Sequence, residues 1–480
     1  RDERMTGKAK ADVLVVGGGP GGRVAYMALK QFGIGAVRLV GNEEPTVICS
    51  LPYGVGRKRV PGGPEAVVVD LSTAHRLPPT ILEDILQGNV TELDLVSREA
   101  VVEGPGGITT VCFDSLVLAP GAVPWIPPVE GVLSGFGSTQ GTAVAYGDEM
   151  VDKGRLAENV HVLRGAWDAR RLDRLASEKK KAVVVGTGAI GLETAEALLD
   201  RGMAVTLVEA LPHVVAALDE DMAARVERRL VESGVPVVKG ARIARVLPVG
   251  LELGDGTVLD ADAVVFATGV RPDLRLAKAA GIETRRGIVV DSRMRTAAPG
   301  VYAVGDAVQV TDGATGEAIL PLIGTLAMRQ AMVAAANIAG KPMELPPLAL
   351  WGVSEILGLH WGSVGWTEEA ARRANIPVMS LVQLVRTRDP FMPEAGEGAW
   401  KLVVAMAPAG RVKPGQILGF QVVQEQDSPL FLAERFIDIV SRGETVMDLF
   451  GHYFIHSPAH NAVDDPYLGL LNQAMRLFGQ

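Results

Sequence analysis

The hydrophobic positions of this chain fall into short, unbroken runs that end in glycine and are followed by a helical pattern. The clearest of these runs cover residues 13–16 and 182–185. Continuous apolar runs of this length are typical of strands buried on both faces, as in parallel sheets. Because strand, glycine loop and helix follow one another in the same order at both places, the pattern predicts an α/β fold with two βαβ units.

The first unit contains three glycines at GxGxxG spacing, Gly17, Gly19 and Gly22. Between a strand and a helix, this spacing lets the backbone approach a pyrophosphate, whose charge is stabilised by the helix N-terminus. The next strand, residues 37–40, lacks the acid expected at its end for a ribose hydroxyl, because position 41 is Gly41. Glu43 and Glu44 are the candidate substitutes.

The second unit repeats the motif with Gly186, Gly188 and Gly191. Its second strand, residues 204–208, ends in Glu209, which lies 23 residues after Gly186. A carboxylate at this spacing hydrogen-bonds the ribose 2′-hydroxyl of a dinucleotide. Since the same charge would repel a 2′-phosphate, NADH is the expected ligand and NADPH is less favoured.

Three further apolar runs are each followed by a glycine, namely Gly121, Gly269 and Gly305, and Asp306 comes directly after the last one. Their positions give the order of the domains. The last run is predicted to rejoin the first sheet, so the fold is α/β, with two Rossmann-like dinucleotide-binding domains, the second inserted in the first. The predicted boundaries are 12–158 and 286–345 for the first domain, 159–285 for the second, and 346–480 for a C-terminal α+β domain. Residues 133–158 are small, polar and glycine-rich, and we predict an insertion or a long surface loop there.

The composition narrows the classes of function. The net charge is -9 and no basic stripe is present, which argues against a nucleic-acid partner. No apolar run reaches 18 residues and no signal-peptide pattern is visible, so we expect neither a membrane span nor secretion. The two cysteines, Cys49 and Cys112, fit a reducing cytoplasm and form no disulfide framework or cysteine metal site.

Four motifs together resemble the flavin-dependent pyridine nucleotide-disulfide oxidoreductases, over roughly residues 12–470. They lie at residues 17–22, 186–193, 267–272 and 301–306. In that family the first motif binds FAD, the second binds NAD(P)H, and the aspartate of the last, here Asp306, holds the ribityl and pyrophosphate region of FAD. The resemblance therefore implies FAD and NADH as cofactors and a homodimer formed through the C-terminal domain.

The segment Cys49-Ser-Leu-Pro-Tyr53 resembles the single-cysteine branch of this family, which contains coenzyme A disulfide reductases, polysulfide reductases, NADH oxidases and NADH peroxidases. No second cysteine follows within five residues, which argues against an internal disulfide. Pro20 occupies the position of the histidine of the peroxidases, which counts against a dedicated peroxidase. Cys49 is predicted to be the redox sulfur, with a pKa lowered by the flavin and by helix N-termini. Cys112, in an alternating strand, is predicted to be structural.

Several departures from the coenzyme A disulfide reductases leave the substrate open. Phe391 and Met392 stand near one of the tyrosines that those enzymes bring to the sulfur from the partner subunit, and His456 stands near the other. Ala189 replaces an aromatic residue that many relatives carry in the NADH loop. The basic cluster at residues 57–59 is either a solvated face or a contact for the phosphates of a coenzyme A-like substrate.

Three histidines near the C-terminus are spaced four residues apart, namely His452, His456 and His460. Pro458 interrupts any helix there and no further ligand completes a site, so no metal is predicted. We predict a loop in which His456 or His460 donates a proton to the departing thiolate, with Asp464 or Asp465 orienting the ring. Packing in an interface is the alternative interpretation.

These observations support one main hypothesis. NADH reduces FAD, and the electrons reach a disulfide, persulfide or polysulfide bonded to Cys49. Glu193, in the second-domain helix, either favours the helix dipole or, as the resemblance implies, lies near the nicotinamide and the flavin. The alternatives are an NADH oxidase acting through a sulfenic acid at Cys49 and a flavoprotein whose NADH-reduced state is a docking or signalling form.

Overall fold

The first nucleotide fold is built on a mixed sheet in which the N-terminal apolar run pairs in parallel with a strand on each side. The computed structural model describes residues 6–68, 81–135, 137 and 142–478. The elements up to residue 118 are β1 (Thr6–Val16), α1 (Pro20–Gln31), β2 (Val37–Gly41), α2 (Leu51–Gly56), α3 (Ile81–Asp84), β3 (Ile85–Gln87), β4 (Asn89–Asp94), β5 (Glu99–Gly104) and β6 (Gly107–Leu118). The strand order is β3-β2-β1-β6-β5-β4. This order places the end of β1 between β2 and β6, where the first glycine loop begins.

The second nucleotide fold follows the same logic with a shorter sheet. Its elements are β7 (Ala122–Ile126), β8 (Ala143–Tyr146), β9 (Glu149–Asp152), β10 (Val160–His161), α4 (Ala166–Glu178), β11 (Lys181–Val185), α5 (Ala189–Asp200), β12 (Ala204–Val208), α6 (Glu220–Glu232), β13 (Val237–Val238), β14 (Ile243–Leu247), β15 (Gly250–Leu253), β16 (Val258–Leu259), β17 (Ala263–Phe266), β18 (Val270–Pro272) and α7 (Arg275–Ala279). The strands of its main sheet are all parallel, in the order β10-β17-β11-β12-β13.

A small four-stranded sheet joins the two folds, in the order β18-β7-β8-β9. Two of its strands, β8 and β9, lie in the stretch 133–158, for which the sequence predicts an insertion or a surface loop. The loop expectation is wrong for residues 143–152, because these residues form an antiparallel hairpin paired to β7. Lys153, just after the hairpin, forms a buried ion pair with Asp168 at 2.7 Å. The segment is therefore anchored against helix α4 of the second fold.

The chain then returns to the first fold, as the sequence predicts. The returning elements are β19 (Ile288–Val289), β20 (Val301–Ala303), β21 (Val308–Thr311), β22 (Ala318–Ile319) and α8 (Gly324–Ile338). Strand β20 pairs in parallel with β6, with Val301 opposite Leu116. Helix α8 packs against α1, and residues from both helices share one hydrophobic cluster. This return brings Gly305 and Asp306 to the carboxyl edge of the first sheet.

The C-terminal domain is an antiparallel sheet covered by helices. Its elements are β23 (Trp351–Ile356), β24 (Leu359–Gly365), α9 (Glu368–Arg373), β25 (Val378–Arg386), β26 (Glu397–Ala405), β27 (Ile417–Glu425), α10 (Leu430–Ser441) and α11 (Pro466–Phe478). The strand order is β23-β24-β27-β26-β25. In its core Phe420 stacks on Phe436 with ring centroids 3.7 Å apart, and Trp400 meets both rings edge-on. The predicted fold class is confirmed, whereas the exact domain boundaries stay predictions.

A buried charge cluster fixes the C-terminal domain against the second fold. Lys401 of β26 lies 2.7 Å from Asp221, 3.2 Å from Asp219 and 3.2 Å from Glu368. Gln421 of β27 also donates a hydrogen bond to Asp219 at 2.6 Å. Because a buried ion is stable only when it is paired, these contacts hold the two domains in one orientation. Among the described helices, none combines the length and the hydropathy needed to cross a bilayer.

Candidate active site

The first glycine loop closes tightly on one side and is open on the other. Gly17 has φ +117°, and a Cβ atom there would lie 1.9 Å from the carbonyl oxygen of Ala119. A Cβ atom on Gly22 would lie 1.8 Å from the carbonyl oxygen of Gly17, whereas one on Gly19 would meet no atom within 4 Å. The free side faces the N-terminus of α1, where backbone N–H groups attract a pyrophosphate. This cradle fits the FAD that the sequence predicts.

Position 41, where an acid for the ribose hydroxyl is expected, is a glycine for a steric reason. A Cβ atom at Gly41 would lie 2.9 Å from the Cα atom of Gly18, so a longer residue at the end of β2 would push the glycine loop away. Of the two candidate substitutes, Glu44 accepts hydrogen bonds from Arg170 at 2.6 and 2.8 Å. Glu43 is exposed, and in the described part of the chain no hydrogen bond engages its carboxylate. Glu43 is therefore the candidate that is free to meet a ribose.

The second glycine loop has the same construction. Gly186 has φ +100°, and a Cβ atom on Gly191 would lie 2.0 Å from the Gly186 carbonyl oxygen. The space beside Gly188 is open within 4 Å. The Glu209 carboxylate lies beside this loop, where it accepts hydrogen bonds from the Thr187 backbone N–H at 3.0 Å and from its hydroxyl at 2.6 Å. The acid and the loop thus form one cradle, as a nicotinamide dinucleotide requires.

The remaining predicted cofactor residues lie at strand ends, where the chain must turn. Gly121, Gly269 and Gly305 adopt positive φ angles of 71°, 99° and 88°. Asp306 follows β20, and its carboxylate forms an ion pair with Arg164 at 2.8 Å. Arg164 comes from the loop that enters helix α4, so this pair links the two nucleotide folds. No sequence motif marked Arg164, because a single arginine in a loop carries no pattern.

Cys49 lies in a short 3-10 turn, Ile48–Ser50, that leads into helix α2. The residue is exposed, and both cysteines of the chain are free thiols. Desolvation of the thiol raises the pKa of Cys49, the Glu193 carboxylate raises it further, and Arg164 opposes this shift. The lowering of this pKa that the sequence predicts depends on the flavin and on helix N-termini, and it stays a prediction. Without the flavin, the protein groups favour the neutral thiol.

Glu193 joins the Cys49 site to the C-terminal domain. It lies in the second turn of α5, and its carboxylate accepts a hydrogen bond of 2.7 Å from the Ser354 hydroxyl of β23. Burial raises the pKa of Glu193, and hydrogen bonds from Ser354 and Tyr53 oppose that effect. Glu193 is therefore a partly buried acid whose charge raises the pKa of Cys49. No sequence pattern points to Ser354, because the contact joins residues 161 positions apart.

The basic cluster at residues 57–59 is fully engaged in ion pairs. The pairs are Arg57 with Asp173 at 2.7 Å, Lys58 with Asp200 at 3.3 Å, and Arg59 with Glu355 at 2.6 Å. Their partners belong to α4, α5 and β23. The cluster thus ties the end of α2, and with it the Cys49 turn, to the second fold and to the C-terminal domain. Each of the three cations has a carboxylate within the chain, which favours anchoring over binding of a substrate phosphate.

The C-terminal histidines lie in an irregular segment between α10 and α11, as predicted. Both ring nitrogens of His456 are buried and lack a hydrogen-bond partner among the described residues. Asp465 accepts a hydrogen bond from the Tyr467 backbone at 2.9 Å at the start of α11, and the orienting role of Asp464 or Asp465 stays a prediction. Within the described residues no contact joins His456 or His460 to Cys49 of the same chain. The described part of the chain also contains no group of His, Cys, Asp and Glu side chains suited to a metal.

Two dinucleotide cradles that flank a free cysteine define a nucleotide-dependent redox enzyme. The comparison with protein families agrees with this class. Residues 11–337 match the profile of the family described as pyridine nucleotide-disulphide oxidoreductase, and the chain belongs to that family. It is an NAD(P)H-dependent flavoprotein oxidoreductase, with FAD as its second cofactor. The family resemblance seen in the sequence is therefore confirmed.

NADH oxidases and sulfur-compound reductases are among the named relatives. An NADH oxidase from Methanocaldococcus jannaschii is 30% identical over 466 residues, which cover 94% of this chain and 96% of the relative. An NAD(P)H coenzyme A polysulfide/persulfide reductase from Pyrococcus horikoshii is 25% identical, with 96% of this chain and 98% of the relative covered. Among solved structures, an NAD-dependent persulfide reductase from A. fulgidus is 27% identical and superimposes with a TM-score of 0.84. The match covers 99% of this chain and 84% of the reductase chain.

Proposed function

We propose that this protein uses NADH to reduce a disulfide, persulfide or polysulfide, of the coenzyme A type, through Cys49. The observation that carries the proposal is the position of Cys49. The charged groups that act on its pKa are Glu193 and Arg164 of the second fold and Asp306 of the first fold. The proposal puts Cys49 within reach of both cofactors. The persulfide reductases among the relatives support sulfur as the acceptor.

The chain's own residues would divide the work as follows. Gly17, Gly19 and Gly22, with Gly121, Gly305 and Asp306, would hold FAD, and Gly186, Gly188, Gly191, Glu209 and Gly269 would hold NADH. Bound FAD would supply the relay that turns a two-electron hydride donor into a reductant of sulfur. Cys49 Sγ would form a bond to one sulfur of the substrate while the other sulfur leaves as a thiol. Overall, NADH and one proton reduce one S–S bond, giving NAD⁺ and two thiols from a disulfide, or NAD⁺, a thiol and hydrogen sulfide from a persulfide.

A second copy of the chain would complete the site. The C-terminal domain exposes large apolar side chains, each between 73% and 83% accessible, at Phe391, Phe431, Phe450, Tyr453 and Ile455. Apolar exposure on this scale indicates a protein–protein contact. His456 lies in the same segment with two unpartnered ring nitrogens. We infer a homodimer in which His456 or His460 of one copy protonates the thiolate leaving Cys49 of the other. Free thiols at both cysteines are compatible with a reducing cytoplasm.

An NADH oxidase is the second candidate, because a relative of that name matches 94% of the chain. In that case the thiolate of Cys49 would cycle through a sulfenic acid as oxygen is reduced. The Cys49→Ser variant separates these two candidates from a flavoprotein in which Cys49 has no role in the reaction. Cys112→Ser is the matched control.

The test measures NADH consumption under anaerobic conditions with coenzyme A disulfide, polysulfide and small disulfides, and separately with oxygen alone. We expect acceptor-dependent turnover that Cys49→Ser abolishes and Cys112→Ser leaves intact. Turnover with oxygen only would favour the oxidase. Full activity of Cys49→Ser with every acceptor would overturn both candidates. Reduction of the flavin by NADH in wild type and in Cys49→Ser alike, without turnover of any acceptor, would leave a docking or signalling form.

A further inference from the structure

The Asp168 carboxylate at the start of helix α4 gathers three donors on one oxygen. Its Oδ2 atom accepts hydrogen bonds from Lys153 Nζ at 2.7 Å and from the backbone N–H groups of Arg164 and Gly165, both at 2.9 Å. The side chains of Lys153 and Asp168 are only 6% and 1% exposed. Asp168 is the third residue of the helix, and a side chain at this position commonly holds the backbone that enters the helix. A buried carboxylate therefore fixes the backbone of the Arg164 loop.

Arg164 is held at both of its ends. Its backbone N–H is bonded to Asp168, and its guanidinium donates a hydrogen bond of 2.8 Å to the Asp306 carboxylate of the first fold. In this ion pair 27% of the arginine side chain and 13% of the aspartate side chain are exposed. An ion pair made by a long side chain costs conformational entropy, and the cost is smaller when the backbone is already fixed. The anchoring at Asp168 therefore favours the pair between Arg164 and Asp306.

Lys153 comes from the segment 133–158, which has no part in the function proposed above. It directly follows the hairpin β8–β9, and its backbone N–H is bonded to the Thr142 carbonyl oxygen at 3.1 Å. Val144 and Val151 of the hairpin are buried in a hydrophobic cluster of the second fold. The ammonium group is thus brought to Asp168 by a packed element. It also balances a carboxylate that would otherwise be buried without a cationic partner.

We propose that Lys153 is a positioning residue for the flavin site, acting through Asp168 and Arg164. Its ammonium group fixes Asp168, which fixes the Arg164 loop so that the guanidinium meets Asp306. The inference rests on the proposed function, in which Asp306 holds FAD. An unpaired carboxylate there would repel the negative pyrophosphate of FAD, and the positive charge of Arg164 offsets this repulsion. The segment 133–158 thereby has a role in retention of the cofactor.

The experiment measures the rate at which the purified holoenzyme releases FAD. The protein is diluted into buffer that contains a phosphodiesterase, which cleaves free FAD to the more fluorescent FMN, and the fluorescence is followed with time. Neither NADH nor an acceptor is present, so the readout is independent of turnover. We expect Lys153→Met to release FAD about tenfold faster than wild type, the factor that corresponds to one hydrogen bond to a charged group. Arg164→Met is expected to release FAD at least as fast.

A double variant tests whether Lys153 acts through Arg164. We expect the variant that combines Lys153→Met with Arg164→Met to release FAD no faster than Arg164→Met alone, because the positioned side chain is already absent. Lys401→Met is the matched control, since Lys401 is also a buried lysine paired with acids, but at the interface with the C-terminal domain. Its folded holoenzyme is expected to release FAD at the wild-type rate. Lys153→Gln retains a donor for Asp168 and provides the same cycle where Lys153→Met yields no folded holoenzyme.

Three results would each overturn the proposal: a wild-type rate for the Lys153 variant, effects that multiply in the double variant, or equally fast release from Lys401→Met. Asp306→Ala tests the proposed flavin site itself and is expected to release FAD faster than wild type, because an acceptor for FAD is lost. A wild-type rate for Asp306→Ala would contradict the placement of FAD at Asp306. The cycle between Lys153 and Arg164 alone decides whether the lysine positions the arginine.

Discussion

His161 makes the second nucleotide fold sensitive to acid. It lies in the edge strand β10, is 4% exposed, and its Nε2 atom is buried without a hydrogen-bond partner in the described part of the chain. Burial, together with the positive charges of Arg171 and Arg174, lowers the pKa of His161 from 6.5 to about 3. The folded protein therefore keeps this imidazole neutral at any pH at which it functions.

The sign and the size of the effect follow from linkage. Between pH 6.5 and pH 3 the unfolded chain binds a proton at this histidine and the folded chain does not, so stability falls as the pH falls. The greatest slope is about 1.4 kcal/mol per pH unit. Near pH 6.5 this histidine is only partly protonated in the unfolded chain, so the slope is smaller there. The stability of the folded protein therefore falls by about 2 kcal/mol from pH 7 to pH 5. Above pH 7 the contribution is constant.

His161→Leu isolates this contribution. Leucine retains an apolar side chain of similar size and cannot take up a proton. The assay is native-state amide hydrogen exchange of strands β11 and β17, which reports local stability without assuming two-state unfolding of a chain of this length. Between pH 7 and pH 5 we expect wild type to lose about 2 kcal/mol more than the variant. Equal losses of stability in wild type and variant would refute the reasoning. A pH dependence of stability that still differs between the two proteins from pH 7 to pH 8 would refute it as well.

Three further predictions concern the cradles and the domain interface. Glu209→Gln should raise the Kd for NADH about tenfold and reduce the preference for NADH over NADPH, measured by titration of each nucleotide, because the repulsion of a 2′-phosphate is lost. Gly41→Ala should lower the flavin content of the purified protein, measured by absorbance, because its Cβ atom would lie 2.9 Å from Gly18. Lys401→Met should destabilise the protein by about 3–5 kcal/mol in urea unfolding, since it leaves the buried carboxylate of Asp219 without its cationic partner, whereas an unchanged urea midpoint would show that the cluster is solvated.

The sequence was sufficient where function depends on local backbone. Gly17 and Gly186 are visible as motif positions because a turn with positive φ and close backbone contacts requires glycine there. The same argument explains Gly41 only after the fold is known, since its contact with Gly18 joins two separate loops. The hairpin at residues 143–152 was missed because its two strands have only four residues each, in a stretch of small and polar residues.

The sequence pattern also could not predict the polar residues around Cys49. Arg164 and Ser354 reach the site across domain boundaries, through single contacts of 2.8 Å to Asp306 and 2.7 Å to Glu193. Isolated arginine and serine residues are common in loops and strands, so nothing in their spacing indicates a site. The effects of thiol desolvation and of Glu193 on the pKa of Cys49 were equally invisible in the sequence, because both depend on tertiary packing.

The most direct test of the central claim is to identify the sulfur that carries the substrate. The reduced protein is mixed anaerobically with coenzyme A disulfide, quenched in acid, digested and analysed by mass spectrometry. We expect a coenzyme A adduct on Cys49, none on Cys112, and loss of the adduct when NADH is added before the quench. An enzyme that consumes NADH with this disulfide while Cys49 remains unmodified, or that forms an adduct which NADH cannot remove, would contradict the account.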